Sequence, residues 1–162
     1  RFKHLKILFL TDNLFEHIPP VLAQCETLQM IAFKSNRVKT VPQNCFPLST
    51  NWLILTNNQI ETLPESMGRL TKLRKLALAG NRLSSLPETM ADCGALELVR
   101  LSANRLTSIP DWLLSLPKLA WLGFSGNPVC KALDAPKNTI INVPLDSFSK
   151  ARKLAIDLGS TE

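Results

Sequence analysis

The chain is expected to fold as an α/β solenoid, with short parallel strands on a concave face and loops and short helical turns on a convex face. Three observations lead there. An asparagine recurs at Asn13, Asn36, Asn58, Asn81, Asn104 and Asn127, in steps of 23, 22, 23, 23 and 23 residues. Apolar pairs stand five and three positions before each one: Leu8/Leu10, Ile31/Phe33, Leu53/Leu55, Leu76/Leu78, Val99/Leu101 and Leu122/Phe124. The first five repeats then close on an apolar residue and proline, at Ile18-Pro19, Val41-Pro42, Leu63-Pro64, Leu86-Pro87 and Ile109-Pro110. Six copies in phase describe a unit that buries its core only by stacking on its neighbours.

Each element of the repeat has a physical cause. The apolar pair alternates with period two, so it belongs to a short strand with one face buried and one exposed. The asparagine follows where the chain turns away from the strand. Its carboxamide is expected to satisfy backbone groups of the turn, making the six asparagines a structural ladder. The proline ends the extended stretch and favours the first turn of a short convex helix. Glu65, Glu88 and Asp111 come next, where a helix amino end favours negative charge. Two more apolar columns complete the expected core: Leu22, Cys45, Met67, Met90 and Leu113, then Cys25, Leu48, Leu70, Cys93 and Leu116.

Along the chain, residues 1–128 form the array of six coils. The second coil is one residue short, carries a second proline in PQNCFPLST, and places Thr50 where the other coils have leucine. An irregular convex loop is expected between Gln43 and Asn51. Residues 129–162 lack the leucine ladder and are expected to be a cap or a linker. Ile140, Ile141 and Val143 suit a last edge strand. A helix is expected over 147–158, with Phe148, Ala151, Leu154, Ala155 and Leu158 on one stripe and Lys150, Arg152 and Lys153 opposite. The chain starts at Arg1 with neither a methionine nor an amino-terminal cap, which suggests a fragment of a longer protein.

Composition narrows the function classes. No apolar run approaches the roughly 20 residues of a membrane helix, so no membrane span is expected. The net charge of +6, from 19 basic and 13 acidic residues, is mild. The basic residues are interspersed with acids and lack interleaved aromatics, which argues against nucleic acid as a partner. Cys25, Cys45 and Cys93 fall in core columns, and no Asn-x-Ser/Thr acceptor is present. Cys130 follows Asn127-Pro128 without the second cysteine of an extracellular cap. A reducing, cytoplasmic setting is therefore expected, with Cys130 the most accessible thiol.

Chemistry within the chain is expected to be absent. His4 and His17 are the only histidines, too few for a zinc site with scattered cysteines. There is no Gly-rich phosphate loop and no serine–histidine–acid arrangement. The expectation is a non-catalytic chain with no cofactor and no metal. The informative residues are those that alternation turns outward. The first outward column is Ile7, Met30, Trp52, Lys75, Leu98 and Trp121, and the second is Phe9, Ala32, Ile54, Ala77, Arg100 and Gly123. The third is Thr11, Lys34, Thr56, Ala79, Ser102 and Ser125. Ile7, Phe9, Met30, Trp52, Ile54, Lys75, Leu98, Arg100 and Trp121 are the candidate partner-binding residues, because large apolar groups and arginine stand where a solvated face needs polar ones. The expected partner is another protein or a peptide, bound by a monomer.

Several stretches carry a family resemblance. WLILTNNQIETLP, LRKLALAGNRLSSLP, LELVRLSANRLTSIPDWLLSLPKLAWL and SGNP resemble the array of leucine-rich repeat protein kinases of bacterial type. The likeness covers about Leu5 to Pro128, and Trp52, Asp111-Trp112 and Ala120-Trp121 are its most distinctive points. It implies a horseshoe of leucine-rich repeats, and an array that serves as the regulatory or substrate-docking arm of a Ser/Thr kinase. The kinase signatures themselves, a His-Arg-Asp loop and an Asp-Phe-Gly, are absent from the chain.

Overall fold

A computed structural model describes residues 3–133 and Ala155–Asp157. Three-residue strands recur at β1 (Ile7–Phe9), β2 (Met30–Ala32), β3 (Trp52–Ile54), β4 (Lys75–Ala77), β5 (Leu98–Arg100) and β6 (Trp121–Gly123), with β7 (Ala155–Asp157) beside them. All pair in parallel in the order β1 to β7, so the sheet grows by one strand per coil and never closes. Parallel neighbours need a crossover, and each coil supplies one over the convex side. The register aligns Leu8, Ile31, Leu53, Leu76, Val99 and Leu122 across β1 to β6. From coil two onward these side chains are buried, as are Phe33, Leu55, Leu78, Leu101 and Phe124 in the next row. The sequence is thus a solenoid, as its period requires.

The convex side carries short 3-10 helices at Pro20–Gln24, Glu65–Arg69 and Glu88–Asp92, and one α-helical turn, α1, at Asp111–Leu114. A second helix, α2, spans Pro128–Leu133. Pro19, Pro64, Pro87 and Pro110 occupy the cap position just before these turns, in extended backbone. The prolines therefore end the straight segment from outside the helix, one position earlier than a first-turn proline would. Glu65, Glu88 and Asp111 open the helical turns. Gly68 is required where it stands: a Cβ there would run into the backbone carbonyl of Thr89 on the next coil.

Coil two departs from its neighbours. It has no helical turn after Pro42, and Asn44 adopts a left-handed backbone at φ 55. Leu48, placed in the core by sequence spacing, is 52% exposed, and Phe46 fills the position instead. The missing residue shifts the register of the loop, so the larger ring enters and leucine swings out. Thr50 is fully buried and its hydroxyl donates to the carbonyl of Pro47 at 2.7 Å, which removes the penalty of burying it. Cys25 is a second departure, half-buried rather than buried. The first coil has no coil stacked on its outer side among the described residues.

The expected helix over 147–158 is corrected at its end: Ala155–Asp157 is strand, paired in parallel with β6 at Leu122 opposite Ile156. An open sheet edge offers unpaired backbone groups, and three residues with a β-branched centre match it better than isolated helix does. The rest of that span, and Ile140, Ile141 and Val143, lie outside the described residues.

The asparagines tie the coils together. In Asn104 the carboxamide nitrogen donates to Leu78 O at 3.0 Å on the preceding coil and to Leu101 O at 2.8 Å on its own. Its oxygen accepts from Leu83 N at 3.0 Å. Asn36, Asn58, Asn81 and Asn127 make the same three kinds of bond. Asn13 has only the local bond to Thr11 O and is exposed. The residue before each asparagine is left-handed: Asp12, Ser35, Asn57, Gly80, Ala103 and Gly126, with φ between 53 and 70. Ala103, at φ 53, is the one with neither glycine's freedom nor a short polar side chain.

Burial sorts the thiols. Desolvation pushes the Cys45 thiol up to about 12, and burial, helped by the charge of Asp92, pushes Cys93 up to about 11. All four cysteines are unpaired. Cys130 is half-buried and its Sγ donates to Phe124 O at 3.2 Å, so it is no freer than Cys25.

Three measurements follow from this packing. Asn104→Ala strands the buried Leu83 N–H and leaves the Leu78 and Leu101 carbonyls to Asn81 and Asn127 alone. It is expected to cost about 2 kcal/mol in urea unfolding, whereas Asn13→Ala stays within about 0.5 kcal/mol. Equal losses at the two sites would show that the inter-coil bonds contribute nothing. Ala103→Gly is expected to raise stability by up to about 1 kcal/mol by relieving the left-handed alanine; a lower urea midpoint would sink that account. Disulfide-exchange titration at neutral pH should find Cys25 and Cys130 fast, Cys45 and Cys93 slow. The folded Cys45 and Cys93 thiols ionise later than the unfolded ones, so the unfolded chain gives up protons first. Stability is therefore full below pH 9 and falls as pH rises above the ordinary thiol value of 9.0. A midpoint that stays level or climbs there contradicts the burial of both thiols.

Candidate functional site

The strands present their second face to solvent on the concave side. Register places Ile7, Met30, Trp52, Lys75, Leu98 and Trp121 in one row, followed at β7 by Ala155. Phe9, Ala32, Ile54, Ala77, Arg100 and Gly123 form the next row, followed by Asp157. These rows coincide with the columns that alternation predicts.

Within the rows the side chains are not equal. Ile7 and Phe9 are 51% and 56% exposed at the amino-terminal edge. Met30, Trp52, Ile54, Lys75, Leu98 and Trp121 are half-buried, and Arg100 is exposed. Five of the predicted residues, Trp52, Ile54, Lys75, Leu98 and Arg100, line a single depression of about 360 Å³. Trp121 joins them through Arg100, while Ile7, Phe9 and Met30 lie outside it.

Both tryptophans carry a cation. Lys75 Nζ lies 4.7 Å from the Trp52 ring centroid, and Arg100 Cζ lies 5.2 Å from that of Trp121. Lys75 follows Trp52 in the same row on the adjacent strand, so the parallel register itself brings them together. Arg100 and Trp121 belong to different rows. Their contact depends on Gly123: a Cβ there would sit 2.6 Å from the Trp121 ring, so only glycine lets the indole lie across the second row and under Arg100. Cation–π contacts of this kind hold a long side chain over a ring, and they make the face less bare than its tryptophan content suggests.

Lys34 and Thr56, from the third outward column, line the same depression and were outside the candidate set. The signal for Lys34 was its place in that column, one position beyond the apolar rows. At one rim, Arg74 grips Glu97 with two bonds of 3.0 and 2.9 Å. Those bonds hold the Glu97 carboxyl below its ordinary range and the Arg74 guanidinium above its own. Among the described residues, Lys34, Lys75 and Arg100 form no salt bridge.

Nothing in this arrangement positions a nucleophile against a base. Among the described residues no cluster of three or more His, Cys, Asp or Glu side chains offers a metal site, and no helix is long and apolar enough to cross a membrane. The site is an apolar-floored, cation-rimmed surface on a sheet.

No curated protein matches the chain. The family model for leucine-rich repeats matches residues 27–83 and 71–129, which are coils two to six with their asparagine ladder. With that match over most of its length and a parallel strand from every coil, the chain belongs to the leucine-rich repeat family.

Proposed function

We propose that the chain is a non-catalytic protein-binding module that takes a partner protein or peptide on its concave sheet face. Leucine-rich repeats are in general protein-interaction modules. The observation that carries the choice of face is the depression built from Trp52, Ile54, Lys75, Leu98 and Arg100, with Trp121 beside it. It gathers large amphipathic side chains on a rigid sheet, where little ordering is needed on binding. Ile7, Phe9 and Met30 extend the apolar surface toward the amino-terminal edge. The module works as a monomer, in a reducing, cytoplasmic setting that the four unpaired cysteines support, and it takes no cofactor.

A second reading makes the array the regulatory or substrate-docking arm of a Ser/Thr kinase. It is favoured by the resemblance at Trp52, Asp111-Trp112 and Ala120-Trp121, and decided by the reading frame beyond Glu162. A Gly-rich loop followed by a lysine-bearing strand establishes it. A stop codon within a few residues ends it.

The test of the binding face compares proteins captured from a lysate of the source cells. Trp52→Ala combined with Trp121→Ala should weaken capture about 30-fold, as expected for truncating two hot-spot anchors. Val21→Ser with Leu48→Ser, on exposed convex positions, should leave it unchanged. Loss in the convex variant and retention in the concave one, with both showing native circular dichroism, would move the site to the other side.

A further inference from the structure

The charges on the concave face are one-sided. Across coils one to six, the three outward columns contain Lys34, Lys75 and Arg100 and no carboxylate. Elsewhere on the array three acid–base pairs bridge adjacent coils: Glu16 with Lys39, Glu61 with Arg82, Glu97 with Arg74. The concave cations stand in columns that hold no acid to pair with. Two are laid on tryptophan rings, and none of the three meets a carboxylate among the described residues. Asp157 takes the next register position after Gly123 on β7, two strands past Arg100.

Resting on the concave face as the binding surface, we propose that its occupant is an extended acidic peptide segment of a partner protein. Carboxylates of that segment meet Lys34 at one end and Arg100 at the other, with Lys75 between, and an apolar side chain settles over Ile54 and Ala77. Stacking uses the flat face of the Arg100 guanidinium and leaves its N–H edge free for a carboxylate. It also restricts both long side chains before the ligand arrives, which lowers the ordering cost of binding. A single-stranded nucleic acid fits less well: a base would have to displace Lys75 or Arg100 from the ring faces they cover.

The spacing of the cations sets the spacing of the acids. Lys34, Lys75 and Arg100 belong to coils two, four and five, so the outer two are three strand steps apart. At ~4.8 Å per step that is ~14 Å, or about four residues of extended chain at ~3.3 Å each. Residues i, i+2 and i+4 of such a chain point the same way. Two acids four residues apart with an apolar residue midway therefore face the sheet together.

The probe is a fluorescein-labelled, end-capped peptide Gly-Glu-Thr-Leu-Thr-Glu-Gly, beside a counterpart with both Glu replaced by Gln and a labelled oligouridine of similar length. Anisotropy with the full chain at about 50 mM salt should show the Glu peptide binding at least about ten-fold more tightly than the Gln peptide, a gap that shrinks at about 500 mM. Lys34→Gln combined with Arg100→Gln should erase the gap, and Arg82→Gln, at a cation off this face, should preserve it. The proposal is overturned by equal binding of the two peptides, by no Glu-peptide binding at millimolar protein, or by tighter binding of oligouridine. If the peptides bind equally and Trp52→Ala weakens both, the acidic class falls and the concave face stands. If both bind and Trp52→Ala with Trp121→Ala changes neither, the concave face falls as well.

Discussion

Stacked coils bury backbone that no regular ladder satisfies, and the asparagine carboxamide is the group that meets this demand. A strand of three residues makes only a few sheet bonds before the chain must turn. The turn is then pressed against the turns above and below it, where water cannot reach. A buried carbonyl or amide without a partner costs more than a typical hydrogen bond gains. One carboxamide, with two donors and an acceptor, answers a carbonyl of the preceding coil, a carbonyl of its own turn and an amide of the preceding coil, as Asn81 does with Leu55, Leu78 and Ile60. The bonds run between coils as well as within them. Position and coil spacing are consequently locked to one another, with a left-handed residue before each asparagine.

That lock explains how coil two tolerates an irregular convex side. Asn36 and Asn58 keep their full sets of bonds, and β2 keeps its register with both neighbours. The one-residue deficit is absorbed on the outer side, where Phe46 takes the core position and Leu48 turns out. A convex loop has solvent on one side, so its backbone has alternatives that the concave strands lack. Deviation collects there, and the concave geometry is preserved.

Preserved concave geometry is what the binding surface requires. Outward side chains stand at a constant lateral spacing, so a row of six acts as a fixed template. Lys75 over Trp52 arises directly from that template, since neighbours in a row are neighbours in space. Arg100 over Trp121 crosses from one row to the next and depends on a glycine that leaves room for the ring. Both pairs convert flexible cations into oriented ones. Glu97, one residue before Leu98, is held by Arg74 in two bonds.

How far the sequence reaches is set by which properties are periodic. Strand positions, the inward rows, the three outward columns and the asparagine ladder all repeat with the coil, and stacking of identical units converts a sequence period directly into spatial alignment. The candidate residues Trp52, Ile54, Lys75, Leu98, Arg100 and Trp121 were legible for that reason. The rest was decided in three dimensions. The sequence period does not reveal that Leu48 yields to Phe46, because that choice follows from volume within one irregular loop. Nor does it reveal that Cys25 is only half-buried, since burial depends on what lies beyond the coil as well as within it. Lys34 lines the depression from the third outward column, beyond the apolar rows, and the Arg100 contact depends on the space left at Gly123. For Ala155–Asp157 the apolar spacing suited a helix, and the open edge of β6 made it a strand, because unpaired backbone at a sheet edge outweighs the local preference of three residues.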